Sequence, residues 1–243
     1  LAQAKRVKNY MNYQITYEME EYDPELDQML FYLPIVGSTF KKVYFDPLLQ
    51  RAVSKFVYAE DLVVPYAATD LLTSPRITHI IRMSENEVKK MQIAGFYRDL
   101  DLPSTGSINN LSQVQETVDD IQGVGPSSIN EELTIYEVHT NLDIEGFEDM
   151  GADGQPSGLK LPYIVTILKE TSEVLAIRRN YDENDILRKQ KQYFIHYKFL
   201  PGLGFYGFGL THMIGGLAQA STSLLRQLID AGTLSNLPAG YSL

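Results

Sequence analysis

Gly202, Gly204 and Gly207 spell a G-x-G-x-x-G run between an extended, aromatic-rich stretch and the most helical stretch of the chain. Glycines at that spacing let a backbone approach a pyrophosphate at a helix N-terminus, and Asp230 downstream is the residue type that would hold a ribose hydroxyl. The run departs from that use in three ways. Phe205 and Tyr206 would crowd a phosphate, Pro201 and Gly209 extend the run so that the helix begins late, and only 13 residues follow Asp230, too few for a second βα unit. The competing reading is a tight aromatic-glycine turn feeding a buried helix.

Other chemistry-bearing residues are scattered. The acidic stretch 143–158 invites a calcium-loop reading, but its spacing fails. Counted from Asp143, position 12 is Gly154; counted from Asp149, position 3 is Gly151 and position 12 is Lys160. His79, His139, His196 and His212 show no ligand-pair spacing and no H-E-x-x-H. Asp99/Asp101 and Asp119/Asp120 lack a positioned partner for acid–base work, and no serine sits in a G-x-S-x-G setting. Lys41-Lys42, Arg178-Arg179 and Lys189/Lys191 are basic, but neighbours in a strand face opposite sides, so each adjacent pair gives one charge per face; most are expected to be solvated. No catalytic, metal-binding or cofactor-binding residue is expected, and none of these sets describes an enzyme.

The elements that would position these residues can be read from pattern. Residues 1–20 have helical composition. A second helix is expected at Asp23-Pro24, with Asp23 as cap, Leu26, Met29, Leu30 and Leu33 inward, a kink or stop at Pro34 and closure at Gly37. Stretches 39–45 and 52–58 read as a β pair and 75–82 as a strand. Ser84 and Glu87 form a capping box opening a helix that stops at Gly95. A further helix is expected near 111–122. Residues 123–130 read as a linker. Strands follow at 133–142, 163–169, 174–180 and 193–200, the middle two forming a hairpin. Residues 210–231 are the strongest helix, with Leu210, Met213, Ile214, Leu217, Leu224, Leu225 and Leu228 on one face, expected to be buried and to end at Gly232. The class is α+β, helices on antiparallel sheet. The sequence divides as 1–122, the linker 123–130, a mostly β part 131–209, and 210–243.

Composition narrows the function. Apolar residues make up 44% of 243, enough for a core. Formal net charge is −10, so a basic face that grips duplex DNA is disfavoured. There is no cysteine, which excludes disulfides, thiolate metal sites and a thiol nucleophile. No signal peptide is visible, and the start at Leu1, already helical in character, suggests a piece of a longer chain. Gln219, Arg226 and Gln227 interrupt the longest apolar stretch, so no membrane span is expected.

Three segments carry a resemblance. Residues 21–46 (Glu21-Tyr-Asp-Pro-Glu-Leu through Lys41-Lys-Val-Tyr-Phe-Asp46) look like the part of podovirus-type portal proteins where a helix turns into the first strands. Residues 59–66 followed by Pro75-Arg-Ile-Thr-His79 are similar to what comes next in that family. Pro201-Gly-Leu-Gly-Phe-Tyr-Gly-Phe-Gly-Leu210, its helix and 231–236 resemble the glycine turn and helix beyond. The resemblance implies a ring of identical subunits, usually twelve, at one capsid vertex of a bacteriophage. It implies docking of the terminase large subunit and the head-to-tail adaptor, contact with coat and scaffolding proteins, and double-stranded DNA passing through without specific binding. The subunit would belong to the virion, and to the host cytoplasm during assembly. No catalytic residues carry over. This region would correspond to the outward-projecting wing, with stem and clip beyond Leu243, so the chain by itself is expected to be monomeric or weakly associated. A nucleotide-binding enzyme using the Gly202–Gly207 turn, or another virion or adaptor protein without a DNA channel, remain the alternatives.

Overall fold

The structure, a computed structural model, describes residues 2–103, 132–150 and 155–236. The fold is α+β, with helices on antiparallel sheets, and ends in a long helix. Two units can be distinguished, Leu1–Ala59 with Tyr193–Leu243, and Glu60–Gln192.

In the first unit, helix α1 (Ala2–Tyr13) loosens into a π turn at Gln14–Glu18, closed by the Met19 amide donating to the Gln14 carbonyl at 2.9 Å. The Thr16 hydroxyl donates back to the Asn12 carbonyl at 2.7 Å, competing for an acceptor of the regular ladder. Helix α2 (Tyr22–Val36) begins one residue before the expected cap. Asp23 therefore does not cap it; it lies inside the first turn, where a negative charge suits the helix dipole. The side chain at the cap position, Glu21, makes no capping bond because Arg51 and the Ser54 amide engage it. Pro24 is tolerated as the third helical residue, since the first N–H groups of a helix have no internal acceptor. The helix passes Pro34 and closes at Gly37, whose amide donates to the Leu33 carbonyl at 2.8 Å with φ at 91°.

Strands β1 (Ser38–Asp46) and β2 (Arg51–Val57) form the expected hairpin. Asp46 Oδ1 organises its turn by accepting from the Leu48 and Leu49 amides at 2.8 and 3.2 Å. The last strand of the chain, β8 (Phe194–Lys198), pairs with the other side of β1, giving the order β2-β1-β8. Phe40 is fully buried, with Val53, Val57 and Phe194 on its face of the sheet.

The second unit is an antiparallel meander of five strands, β3 (Leu62–Val63), β4 (Arg76–Ser84), β5 (Glu132–Leu142), β6 (Leu161–Leu168) and β7 (Glu173–Arg179), in that spatial order. Strands β4 and β5 pair over nine residues, so both flanks of 123–130 share one sheet. That linker and the helix expected at 111–122 lie outside the described residues. Helix α3 (Glu85–Ile93) opens on the capping box: the Glu87 amide donates to Ser84 Oγ at 3.3 Å and the Ser84 amide to Glu87 Oε2 at 2.9 Å. Gly95 at φ 77° stops it. Val88 drives into Leu133, Ile135, Leu168 and Leu175, with Tyr97, Leu100 and Leu102 around the rim. Gln92 fastens the return of the chain by donating to the Arg98 and Leu100 carbonyls at 3.1 and 2.9 Å.

Helix α4 (Leu210–Asn236) overturns one expectation. None of its residues is buried, and it runs through Gly232 rather than ending there. Glycine inside a helix costs about 1 kcal/mol against alanine but does not stop one in right-handed geometry. Among the described residues no helix is long and apolar enough to cross a membrane.

Candidate functional site

The glycine turn is a closed loop joining strand to helix. The Phe208 amide donates to the Leu200 carbonyl at 2.9 Å, and the Phe199 amide to the Gly37 carbonyl at 3.0 Å. The Gly207 amide donates to Ser38 Oγ at 2.7 Å, a bond spanning 169 residues of sequence. The backbones meet so closely that only hydrogen fits. A Cβ on Gly207 would lie 2.6 Å from both the Gly37 and Leu200 oxygens, and one on Gly209 would collide with the Ile35 carbonyl.

Aromatic side chains fill the space a ligand would need. Phe205 is buried and stacks on Phe40 at 5.9 Å and on His196 at 4.8 Å, while His196 lies 4.4 Å from Phe40. His196 Nε2 lies 3.2 Å from Ser38 Oγ. Ser38 Oγ therefore joins the Gly207 amide, from which it accepts, to the His196 ring. Burial, and then the Lys198 charge, push His196 down to about 4, which keeps the ring neutral. Within the run, the Gly207 amide is spent on Ser38 inside the fold. The preceding strand also belongs to an antiparallel sheet rather than to a parallel βαβ unit.

The turn positions the start of α4. The Gly209 amide donates to His212 Nδ1 at 3.2 Å while the His212 amide donates to the Gly209 carbonyl at 3.1 Å, a reciprocal cap in which an imidazole takes the usual place of a carboxylate. Thr211 Oγ1 donates to the Ile35 carbonyl at 2.9 Å, pinning the first turn of α4 to the end of α2. The expected face of Leu210, Met213, Ile214, Leu217, Leu224, Leu225 and Leu228 does form one stripe along α4. It is bare: Leu217, Leu224 and Leu228 are 71%, 66% and 73% exposed.

The remaining sequence candidates do not converge. His79 and His139 lie in β4 and β5, and His139 is buried with Nε2 2.8 Å from Glu137 Oε1. Among the described residues no group of three or more His, Asp or Glu is placed to hold a metal. In the acidic stretch, Asp149 is engaged by Arg188 Nη1 at 2.9 Å and by the Ser157 hydroxyl at 2.9 Å. Asp99 pairs with Lys89 at 3.3 Å, and Asp119 and Asp120 lie outside the described residues. Arg178 and Arg179 lie over Phe96 and Phe147 respectively, and Arg179 pairs with Glu183. Lys42 lies over the Tyr44 and Phe194 rings. Lys41, expected to be solvated, is instead 3% exposed, with its ammonium 4.2 Å above the Tyr22 ring. Two features escaped sequence reasoning. One is the junction of Ser38 with Gly207, since nothing local marks a serine as the partner of a glycine so far along the chain. The other is Lys41 beneath α2, which depends on where that helix lies.

No protein-family model and no curated protein matches the chain.

Proposed function

We propose that this chain is a structural subunit of a bacteriophage portal ring, acting as a conduit for double-stranded DNA rather than as an enzyme. The observation that carries the reading is a rigid base bearing a long bare helix: α4 leaves a glycine-locked junction and exposes its whole apolar stripe. Such a helix gains its packing from assembly. The segments that resemble portal proteins include both sides of that junction, residues 21–46 and 201–210. The acidic charge suits a conduit, because repulsion keeps a duplex from adhering as it slides. On this reading the partners are further copies of the chain, the terminase, coat and scaffolding proteins and the head-to-tail adaptor, at the capsid vertex of the virion.

The role needs no catalysis. Purified protein should neither hydrolyse ATP nor cut DNA, and nucleotides should not shift its melting temperature. ATP hydrolysis abolished by a single substitution in the Gly202–Gly207 turn would replace this reading with the nucleotide-enzyme one.

A further inference from the structure

The cap at the root of α4 runs through a ring that can gain a proton. Helix α4 has no buried residue, so its direction is set where it starts. Three hydrogen bonds hold that start. The Gly209 amide donates to His212 Nδ1 at 3.2 Å, the His212 amide donates to the Gly209 carbonyl at 3.1 Å, and Thr211 Oγ1 donates to the Ile35 carbonyl at 2.9 Å. The first of them fixes a protonation state. An amide can only donate, so Nδ1 must present its lone pair, and the hydrogen of the neutral ring sits on Nε2. His212 is exposed while Gly209 is buried. The ring can therefore take up a proton from solvent, and the amide it serves lies inside.

We propose that His212 is a proton-operated latch for α4: a proton added at Nδ1 breaks the cap and frees the first turn of the helix to shift against the end of α2. A protonated Nδ1 aims a second donor at the Gly209 amide. It also puts a positive charge at a helix N-terminus, where the macrodipole disfavours it. The titratable and charged groups on the elements that meet there are Tyr32 in the last turns of α2, His196, Tyr197 and Lys198 on β8, and Tyr206 in the glycine turn. None of them carries a negative charge that would hold an imidazolium in place, and the first two turns of α4 add no charged side chain. The neighbouring ring is Phe208, its centre 5.8 Å from that of His212. His196 is a separate group: burial, and then the Lys198 charge, hold it at about 4, so it is mostly neutral at pH 5. The latch depends on the junction alone and not on what the helix meets.

Amide exchange of Gly209, followed by NMR at about pH 7.5 and about pH 5, spans the range in which histidines change charge. Protection is taken relative to the unstructured chain at the same pH. His212→Gln keeps the side-chain acceptor usual at this helix position and does not titrate. With acid, Gly209 of wild type should lose at least about fivefold more protection than Gly209 of His212→Gln, the factor that one hydrogen bond implies. In His212→Ala it should be weakly protected at both pH values. Amides of β1, which report on the unit as a whole, should respond to acid alike in wild type and His212→Gln. Equal acid loss at Gly209 in wild type and His212→Gln overturns the proposal, as does full protection in His212→Ala or an extra wild-type loss shared by β1. An acid response removed by His196→Gln and kept by His212→Gln overturns it too, and places the switch at His196 and Ser38.

Discussion

Glu25 Oε2 accepts a hydrogen bond from the Phe56 amide at 2.6 Å. Strand β2 is an edge of its sheet, and in its register with β1 the amides of Ser54 and Phe56 point outward. Glu21 and Glu25, one helical turn apart on α2, meet those two amides. Helix α2 therefore closes the edge with carboxylates, one of the ways a sheet avoids pairing with another chain. Burial pushes Glu21 up, but its hydrogen bonds and the Arg51 charge outweigh that and hold it below the usual carboxylate range. Glu25→Ala leaves the Phe56 amide without its acceptor and should lower stability by about 1–3 kcal/mol, the penalty for an unsatisfied backbone donor. Glu25→Gln, which keeps an acceptor, should lose less. Urea unfolding midpoints read this, and a loss below about 0.5 kcal/mol for the alanine variant would show that the edge amide gains nothing from the contact.

His196 should make the first unit acid-sensitive. Its folded value lies near 4 against 6.5 for the free side chain, so between those values the unfolded chain binds the extra proton. Stability is full above pH 6.5 and falls as pH drops toward 4. His196→Gln should flatten that part of the profile. Thermal melts of both proteins from neutral pH downward decide it; parallel profiles would remove His196 as the cause.

Lys41 should be a site of easy stabilisation. Its ammonium is buried over Tyr22, and burial lowers its pKa although Glu25 and then Asp23 pull the other way. A lowered lysine value means that the unfolded chain binds more protons at alkaline pH, so wild type should gain stability as pH approaches 10.5. Lys41→Met keeps the aliphatic length without the buried charge and should be neutral or stabilising at pH 7. A loss above about 2 kcal/mol would mean that the ring and carboxylates hold the charge better than burial penalises it.

The local elements were legible because their signals are local. Ser84 and Glu87 set a helix start within four residues, and Gly37 and Gly95 set two stops. Runs rich in Val, Phe and Tyr marked β1 and β2, and extended stretches at 75–82, 133–142, 163–169, 174–180 and 193–200 marked the other strands apart from the two-residue β3, which has too few residues to show a pattern. The pairing of β8 with β1 was not legible, because a partner some 150 residues away leaves no mark in either strand. The face of α4 was read correctly and its burial was not: periodicity reports that a helix is amphipathic, not whether its own chain covers it. The glycine turn carried a real constraint that was open to two readings. Gly207 and Gly209 are needed for backbone against backbone rather than backbone against phosphate.

Charge should oppose association. Copies carrying −10 repel one another until enough apolar surface is buried. Raising salt to about 0.5 M shrinks the screening length to a few ångströms and should strengthen assembly. Light scattering at low and high salt checks this; association that weakens with salt would point to ionic contacts rather than to the apolar stripe.

The ring itself is tested most directly by electron microscopy of the protein expressed from its complete reading frame. The account predicts closed rings of identical subunits around an open central channel. Particles that are monomers, or closed assemblies without a channel, would contradict it.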